Sequence, residues 1–590
     1  MSETVQTSLQ NNRRFPVRCS TLILVLILLL AGFSRLYDLD QTPPGLNQDE
    51  ACNAWNAYCL LKTGRDQAGV SWPVFYMRGL GGHRATLHIY LLMPFQAIGG
   101  MNVITTRLPA AVGGVLAVLV IYYAGKRLFG PAVGLVAAAL LTLNPWHLQQ
   151  SRWGQDAALA ALFGIAPLAM MLWANLPLSD DNSRKPRGIP AFLAGAVSGI
   201  CCYGYHSMRI FIPVFLLAVV LVSPVRWWRC FKTRKGALAI IAFVVGFTIF
   251  FGPLAWQHIF HPEGISRHGQ AQPFLLNSQS PFFGIPEVAL RYIRHFGLDF
   301  LFINGDMRNL QSPPGIGQLH WYMLPVMITG LAVIVCRFRA SYSARILLAF
   351  VVVYPVGDIL FPYIPKAAFE GMTGSHALVN SMHALRSLPG LCSLILLGSF
   401  GAVTAGGWLR RKNRTVVITV ITIFIFAVAG LNIRYLHRYY GQYSSQPDTY
   451  HGFHSDLVEA CDWLGPRLDN YDALFFSSQG FNMPYIISLV TLNYDPEKWH
   501  NDIREYVPKH EWDVCTRYGD THFIYGRSFL TALDEWKTSG KDYRFAFVLR
   551  PGELGFKGRP AHKISRPDGQ VTLYVYEVSR KAEPSADQLR

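Results

Sequence analysis

Hydrophobic positions in this chain do not alternate; they come in long unbroken runs. The first, TLILVLILLLAGF (Thr21 to Phe33), is almost pure hydrocarbon. Later runs repeat it at lengths of about 17–25 residues, which is what a helix needs to cross a bilayer. Basic clusters punctuate them: Arg13/Arg14/Arg18, Lys126/Arg127, Arg184/Lys185/Arg187, Arg226/Arg229/Lys232/Arg234/Lys235, Arg337/Arg339/Arg345 and Arg410/Arg411/Lys412/Arg414. Two spans fit between each consecutive pair, as positive-inside sorting requires. The pattern predicts about eleven transmembrane helices, starting inside and ending outside, near 21–37, 106–124, 131–146, 156–175, 190–204, 209–225, 237–255, 319–336, 345–362, 385–408 and 415–432. The first is expected to be retained rather than cleaved as a signal, because no small-residue cleavage site stands out.

This reading gives an α-helical polytopic membrane protein with a cytoplasmic segment at 1–20 and a transmembrane domain over 21–432. Its outer loops fall at 38–105 and 256–318, and a mostly polar tail, 433–590, lies outside. Within the tail the apolar-aromatic runs ALFFSS (473–478), THFIYG (521–526), RFAFVLR (544–550) and TLYVYEV (572–578) stand among helix-like segments. They predict a small extracytoplasmic α/β domain.

Composition agrees. Of 590 residues 51% are hydrophobic and only 15% charged, and the mean hydropathy is +0.23. A net charge of +17 would suit nucleic acid, but the basic residues sit between apolar runs, so no nucleic-acid partner is expected. Of ten cysteines, Cys461 and Cys515 alone lie in the tail, which allows one disulfide there in an oxidising compartment. Zinc spacings, a P-loop, a Rossmann fingerprint and internal repeats are all lacking.

Candidate chemistry gathers on the outer face. In GLNQDEACNAWNAYCLL (Gly45 to Leu61), Asn47 can cap a helix and Glu50 three residues on completes a capping box. Asp49 heads a stripe with Asn53 and Asn56, as in a helix lying at the membrane interface with a polar face turned from lipid. Five arginines stand on the wrong side for positive-inside sorting: Arg84, Arg107, Arg152, Arg209 and Arg386. Snorkelling explains one or two; opposite acids, the set suits an anionic phosphate. Asp156, in SRWGQDAALA, is an ionisable group at the outer end of a span. His83, His88 and His206 belong to the same outer set, and His83 and His88 could help hold a divalent metal. A carboxylate can deprotonate an acceptor hydroxyl while cations stabilise a departing lipid phosphate.

At these residues the sequence resembles the bacterial branch of the protein O-mannosyltransferase-like GT-C glycosyltransferases, relatives of the lipid A aminoarabinose transferases. The resemblance runs through PPGLNQDEACNAWNAYCLLKTG, GGHRATLHIYLLMPFQAIG, TRLPAAVGGVLAVLVIYYAGKRLFG, LLTLNPWHLQQSRWGQDAALAAL and AGAVSGICCYGYHSMRIFIPVFLL. Weaker echoes are GDMRNLQSPPGIGQLHWYMLPVM, HALVNSMHALRSLPG and MPYIISLVTLNYDP. It implies a GT-C fold in the cytoplasmic membrane and a polyprenyl-phosphate sugar donor. One sugar would be transferred, with inversion, to a lipid, polysaccharide or protein hydroxyl on the outer side. Asp49 would be the general base, Glu50 would support the helix or assist at the metal or acceptor, and Asp156 would be a second acid near the pocket. Arg84, Arg107, Arg209 and Arg386 are the expected donor-phosphate contacts. Some relatives carry a metal-binding acid late in the first outer loop; here GGHRATLHIY has none, so either His83 or His88 substitutes or Arg84 does the cation's work. A flippase for lipid-linked sugars is the alternative, disfavoured because the charged groups lie at outer helix ends rather than at the midplane. The WWDYG signature of oligosaccharyltransferases is absent.

Overall fold

The computed structural model describes residues 17–80, 82–181, 183–260, 284–306, 310–359, 382–509, 512–524, 542–555 and 559–580. Arg13, Arg14 and the middle of the 256–318 loop lie outside the described residues. The chain divides into two compact units, Met1–Tyr37 with Leu108–Tyr439 and Asp38–Arg107 with Tyr440–Arg590.

Apolar helices build the first unit, and each expected span coincides with one. Among the described residues seven helices are long and apolar enough to cross a membrane: Cys19–Leu36, Val103–Phe129, Asp156–Trp173, Arg234–Phe260, Tyr342–Ile359, Ala384–Leu409 and Arg414–Tyr443. The protein is a multi-pass membrane protein. Pro131–Thr142, Gly188–Cys201 and Met323–Arg337 are apolar but only 12, 14 and 15 residues long. At about 1.5 Å per residue they fall short of a hydrocarbon core about 30 Å thick. The span expected at 209–225 ends early, where Met208–Leu221 meets Pro224–Phe231 at 83°. Pro224 lacks the N–H that a continuing helix needs, so the basic segment with Trp227 and Trp228 forms a helix of its own. Small residues bring neighbours close. Gly195 and Gly246, on the paired helices Gly188–Cys201 and Arg234–Phe260, each face the other's backbone with no room for a Cβ. Such close approach supplies the van der Waals packing that holds helices together in lipid.

The second unit carries the sheet. A hairpin of β1 (Met77–Gly79) and β2 (Gly82–Arg84) belongs to the first outer loop. The tail contributes β3 (Ala473–Ser477), β4 (Arg504–Lys509), β5 (Trp512–Tyr518), β6 (Thr521–Ile524), β7 (Tyr543–Leu549), β8 (His562–Ser565) and β9 (Val571–Arg580). Their order is β4–β5–β6–β3–β7–β9–β8, with β3 parallel to β6 and β7. The four predicted runs are the contiguous centre, β6–β3–β7–β9. The three unpredicted tail strands flank this centre, β4 and β8 at the edges and β5 between β4 and β6; REYVPK, WDVCTRY and HKIS are too polar to register as apolar runs, and the edge strands tolerate such charge. Cys461 and Cys515 are free and buried, so the allowed disulfide is absent.

The segment that follows the first span packs with the tail. Its helix Gln48–Thr63 shares one hydrophobic core with the tail: Ala51, Cys52, Ala54, Trp55 and Cys59 pack with Leu457, Cys461, Ile486, Trp499 and Phe476. Trp55 meets Trp499 edge-on at 5.9 Å, and the Trp499 indole N–H donates to the Gln67 carbonyl at 2.8 Å. The helix bears the polar stripe expected of it. Its polar stripe faces protein: Asn53 and Asn56 are fully buried, and the Gln67 N–H donates to Asn56 Oδ1 at 3.1 Å.

Two buried histidines make this unit acid-sensitive. Burial pushes the His454 and His522 imidazoles down to about 4, while an unfolded histidine titrates near 6.5. Between those values the unfolded chain binds the extra protons, so stability rises with pH there and is lost as pH falls. The thermal unfolding midpoint of the detergent-solubilised protein is expected to drop from about pH 6.5 to 4, and His522→Gln should reduce the drop. An equal drop in that variant would refute the assignment.

Candidate active site

Asn47 begins the Gln48–Thr63 helix in extended conformation. The Asp49 N–H donates to its side chain at 3.0 Å, and its own N–H donates to Glu50 Oε2 at 3.1 Å. The expected capping box is therefore present. Asn47 Nδ2 also donates to the Gly452 carbonyl at 2.7 Å, fastening the cap to the tail. Gly45 has φ +58, and a Cβ there would strike Phe453 O and Ser455.

Glu50 is wholly buried against Arg107. Nε donates to Oε1 at 2.9 Å and Nη2 to Oε2 at 3.1 Å. The remaining Arg107 donors reach the carbonyls of Leu39 at 2.9 Å, Pro43 at 2.8 Å and Gly45 at 2.9 Å. A guanidinium has five N–H groups, and all five are satisfied inside the protein. Arg107 is therefore corrected from phosphate contact to structural clamp, and Glu50 serves the clamp rather than the reacting atoms.

Asp49 differs. Its side chain is 33% exposed, and Arg84 Nη1 donates to Oδ1 at 2.6 Å. Arg84 Nη2 reaches the Asp49 carbonyl and Asn53 Oδ1, both at 3.4 Å. The β1–β2 hairpin delivers Arg84 by pairing it with Met77. Among the described residues Oδ2 of Asp49 accepts no hydrogen bond, which leaves it open to a substrate proton. His83 packs against the Tyr76 ring at 4.2 Å, and His88 is buried. Among the described residues no three His, Cys, Asp or Glu come together as metal ligands. Among the described residues the cation that meets Asp49 is Arg84.

The first unit holds the other candidates. Arg152 is buried, and its Nη1 donates to the carbonyls of Ser34 and Arg35 at 3.2 and 3.0 Å, capping the end of the first span. Asp156 opens a 3₁₀ turn at the start of its span and is buried. It lies within electrostatic reach of Arg209, whose Nη1 meets His258 Nε2 at 2.8 Å. Among the described residues, Nε and Nη2 of Arg209 are buried without a partner. Buried donors are normally satisfied, so a bound anion would complete this group. Arg386 sits half-buried on the short helix Ala384–Ser387.

Sequence reading passed over the groups that hold Arg386. Asp358 accepts the His383 backbone N–H at 2.9 Å, and Asp306 accepts that of Ala384 at 2.8 Å. His295 and Arg291 surround Asp358 at 3.1 and 3.5 Å. A signal existed: Asp358 interrupts the apolar run VVVYPVGDIL, and a carboxylate at membrane depth is a site candidate by default.

Residues 83–256 match the protein family described as dolichyl-phosphate-mannose-protein mannosyltransferase. No curated protein matches the chain. Among solved structures, ArnT from Cupriavidus metallidurans bound to undecaprenyl phosphate aligns with TM-score 0.51 and 12% identity, over 95% of this chain and 98% of that one. The chain adopts the GT-C fold. An oligosaccharyltransferase from Archaeoglobus fulgidus, AglB, in complex with an inhibitory peptide and a dolichol-phosphate, aligns at TM-score 0.46 and 12% identity, over 80% of this chain and 63% of that one. The family match falls inside the stretch whose motifs carry the resemblance. The proteins this GT-C chain resembles are glycosyltransferases.

The clamp can be tested apart from chemistry. Arg107→Met removes the partner of the buried Glu50 carboxylate and should cost about 3–5 kcal/mol of stability, as breaking a buried pair does. Thermal unfolding would show it, with undecaprenyl phosphate affinity unchanged in the folded fraction. Lost affinity at full stability would restore the phosphate role.

Proposed function

We propose that this protein is a membrane glycosyltransferase that moves a single sugar from a polyprenyl-phosphate donor to an acceptor hydroxyl. The reaction takes place on the outer face of the cytoplasmic membrane. The observation that carries the reading is the division of labour in the acidic pair. Glu50 is sealed into the Arg107 clamp, while Asp49 keeps an exposed carboxylate oxygen, oriented by Arg84 at 2.6 Å. Asp49 Oδ2 takes the proton of the acceptor hydroxyl as that oxygen bonds to C1 of the sugar. The bond from C1 to the phosphate oxygen breaks on the opposite side, inverting the anomeric centre, and its electron pair leaves on the polyprenyl phosphate. Arg209, with two donors awaiting a partner, and Arg386 meet that charge. Asp156 orients Arg209. The alternation of basic segments supports the outer placement. The acceptor is a lipid, a polysaccharide or a protein hydroxyl.

Asp49→Asn preserves the helix start, because Asn suits a first turn, and should lower sugar transfer by roughly 10²–10⁴-fold, the usual worth of a general base. Mass spectrometry of glycolipids and glycoproteins from cells carrying either form would read it. Full transfer by the variant would end the general-base assignment, and accumulation of unmodified lipid-linked sugar in the inner leaflet would point to flipping.

A further inference from the structure

Arg386 lies in a stretch with little intrinsic reason to hold its shape. Its helix, Ala384–Ser387, has four residues, far fewer than an isolated helix needs to persist. The order has to come from outside, and the contacts show where. Asp358 Oδ2 and Asp306 Oδ2 accept the first two backbone N–H groups, of His383 and Ala384. The His383 ring accepts the Leu385 N–H at 3.3 Å and stands 3.6 Å from Asp306. Both carboxylates are themselves fixed and almost wholly buried. Asp358 is gripped by His295 Nε2 at 3.1 Å and by Arg291, whose Nη2 also donates to the Asp358 carbonyl at 3.2 Å. His295 is in turn anchored by Nδ1 to the Arg291 carbonyl at 2.7 Å. Gly357, beside Asp358, lies so near that a Cβ on it would come within 2.5 Å of the Arg386 carbonyl oxygen. Arg386 itself is within electrostatic reach of Asp358.

We propose that Asp306 and Asp358 are positioning residues for Arg386. By holding the His383–Ala384 backbone they aim its guanidinium and so set the affinity for the phosphate of the lipid donor. The proposal rests on the reading of Arg386 as a phosphate contact. A purely structural staple would predict lost stability without a specific effect on phosphate binding. A positioning role predicts that the carboxylates matter only while Arg386 is there to be aimed.

The experiment is a double-mutant cycle on the purified, detergent-solubilised protein, with undecaprenyl phosphate as probe and dissociation constants as readout. Arg386→Ala should weaken binding roughly tenfold or more, as loss of a charge-assisted contact does. D306N and D358N, which keep size and lose charge, should each weaken it about fivefold or more, and D306N/R386A should bind no more weakly than R386A alone. If D306N fails to fold, G357A is read in its place, because its methyl group presses on the Arg386 carbonyl while sparing both carboxylates. Tight binding by R386A would remove the phosphate role and the proposal with it. Weak binding by R386A with unaltered binding by D306N and D358N, or by G357A in their place, would overturn the positioning role alone. Full additivity in the cycle would overturn it equally.

Discussion

Five N–H donors on one guanidinium govern the arrangement of the acidic pair. Arg107 closes on Glu50 with two of them and gathers the carbonyls of Leu39, Pro43 and Gly45 with the rest. Consecutive residues on a helix point about 100° apart. Once Glu50 is locked inward, Asp49 cannot follow it. Asp49 turns to the β1–β2 hairpin and Arg84, and keeps an exposed edge. Removing Glu50 from solvent is thus what leaves a single carboxylate available for chemistry.

Three outer arginines illustrate how surroundings decide the role of one residue type. Arg107 and Arg152 reach backbone carbonyls from buried positions. In Arg209 one nitrogen meets His258, and two buried nitrogens lack a partner among the described residues. An unsatisfied buried donor costs more than a net hydrogen bond returns. Arg209 thus keeps buried donors that the described residues do not satisfy, whereas Arg107 has all five of its donors met inside the protein. Sequence position gave no means to separate them, since all five arginines stand near outer helix ends.

What could be read from the sequence follows the range of each interaction. The apolar runs, the basic clusters between them and the capping box are local, and each was legible. Asn47 and Glu50 are three residues apart, and the cap stands as expected. Arg107 meets Glu50 across 57 residues, and Asn47 reaches Gly452 across 405; no periodicity reports such partners. The central strands β3, β6, β7 and β9 were legible as apolar runs, and the more polar flanking strands β4, β5 and β8 were not. Asp306 and Asp358 were passed over for a related reason: their function is to accept backbone N–H groups far along the chain.

The same distinction applies to the packing of the Asp49 helix. Ala51, Ala54 and Ala57 with Cys52 and Cys59 make a face too small-sided to look like a core stripe, so Asn53 and Asn56 dominated its pattern. Small side chains are what close packing against other elements requires. With Trp55 set against Trp499, that face lies in the same core as the tail helices. The tail is then part of the support that fixes where Asp49 points. Its sheet contributes Leu474, Phe476, Val514 and Phe523 to that same core.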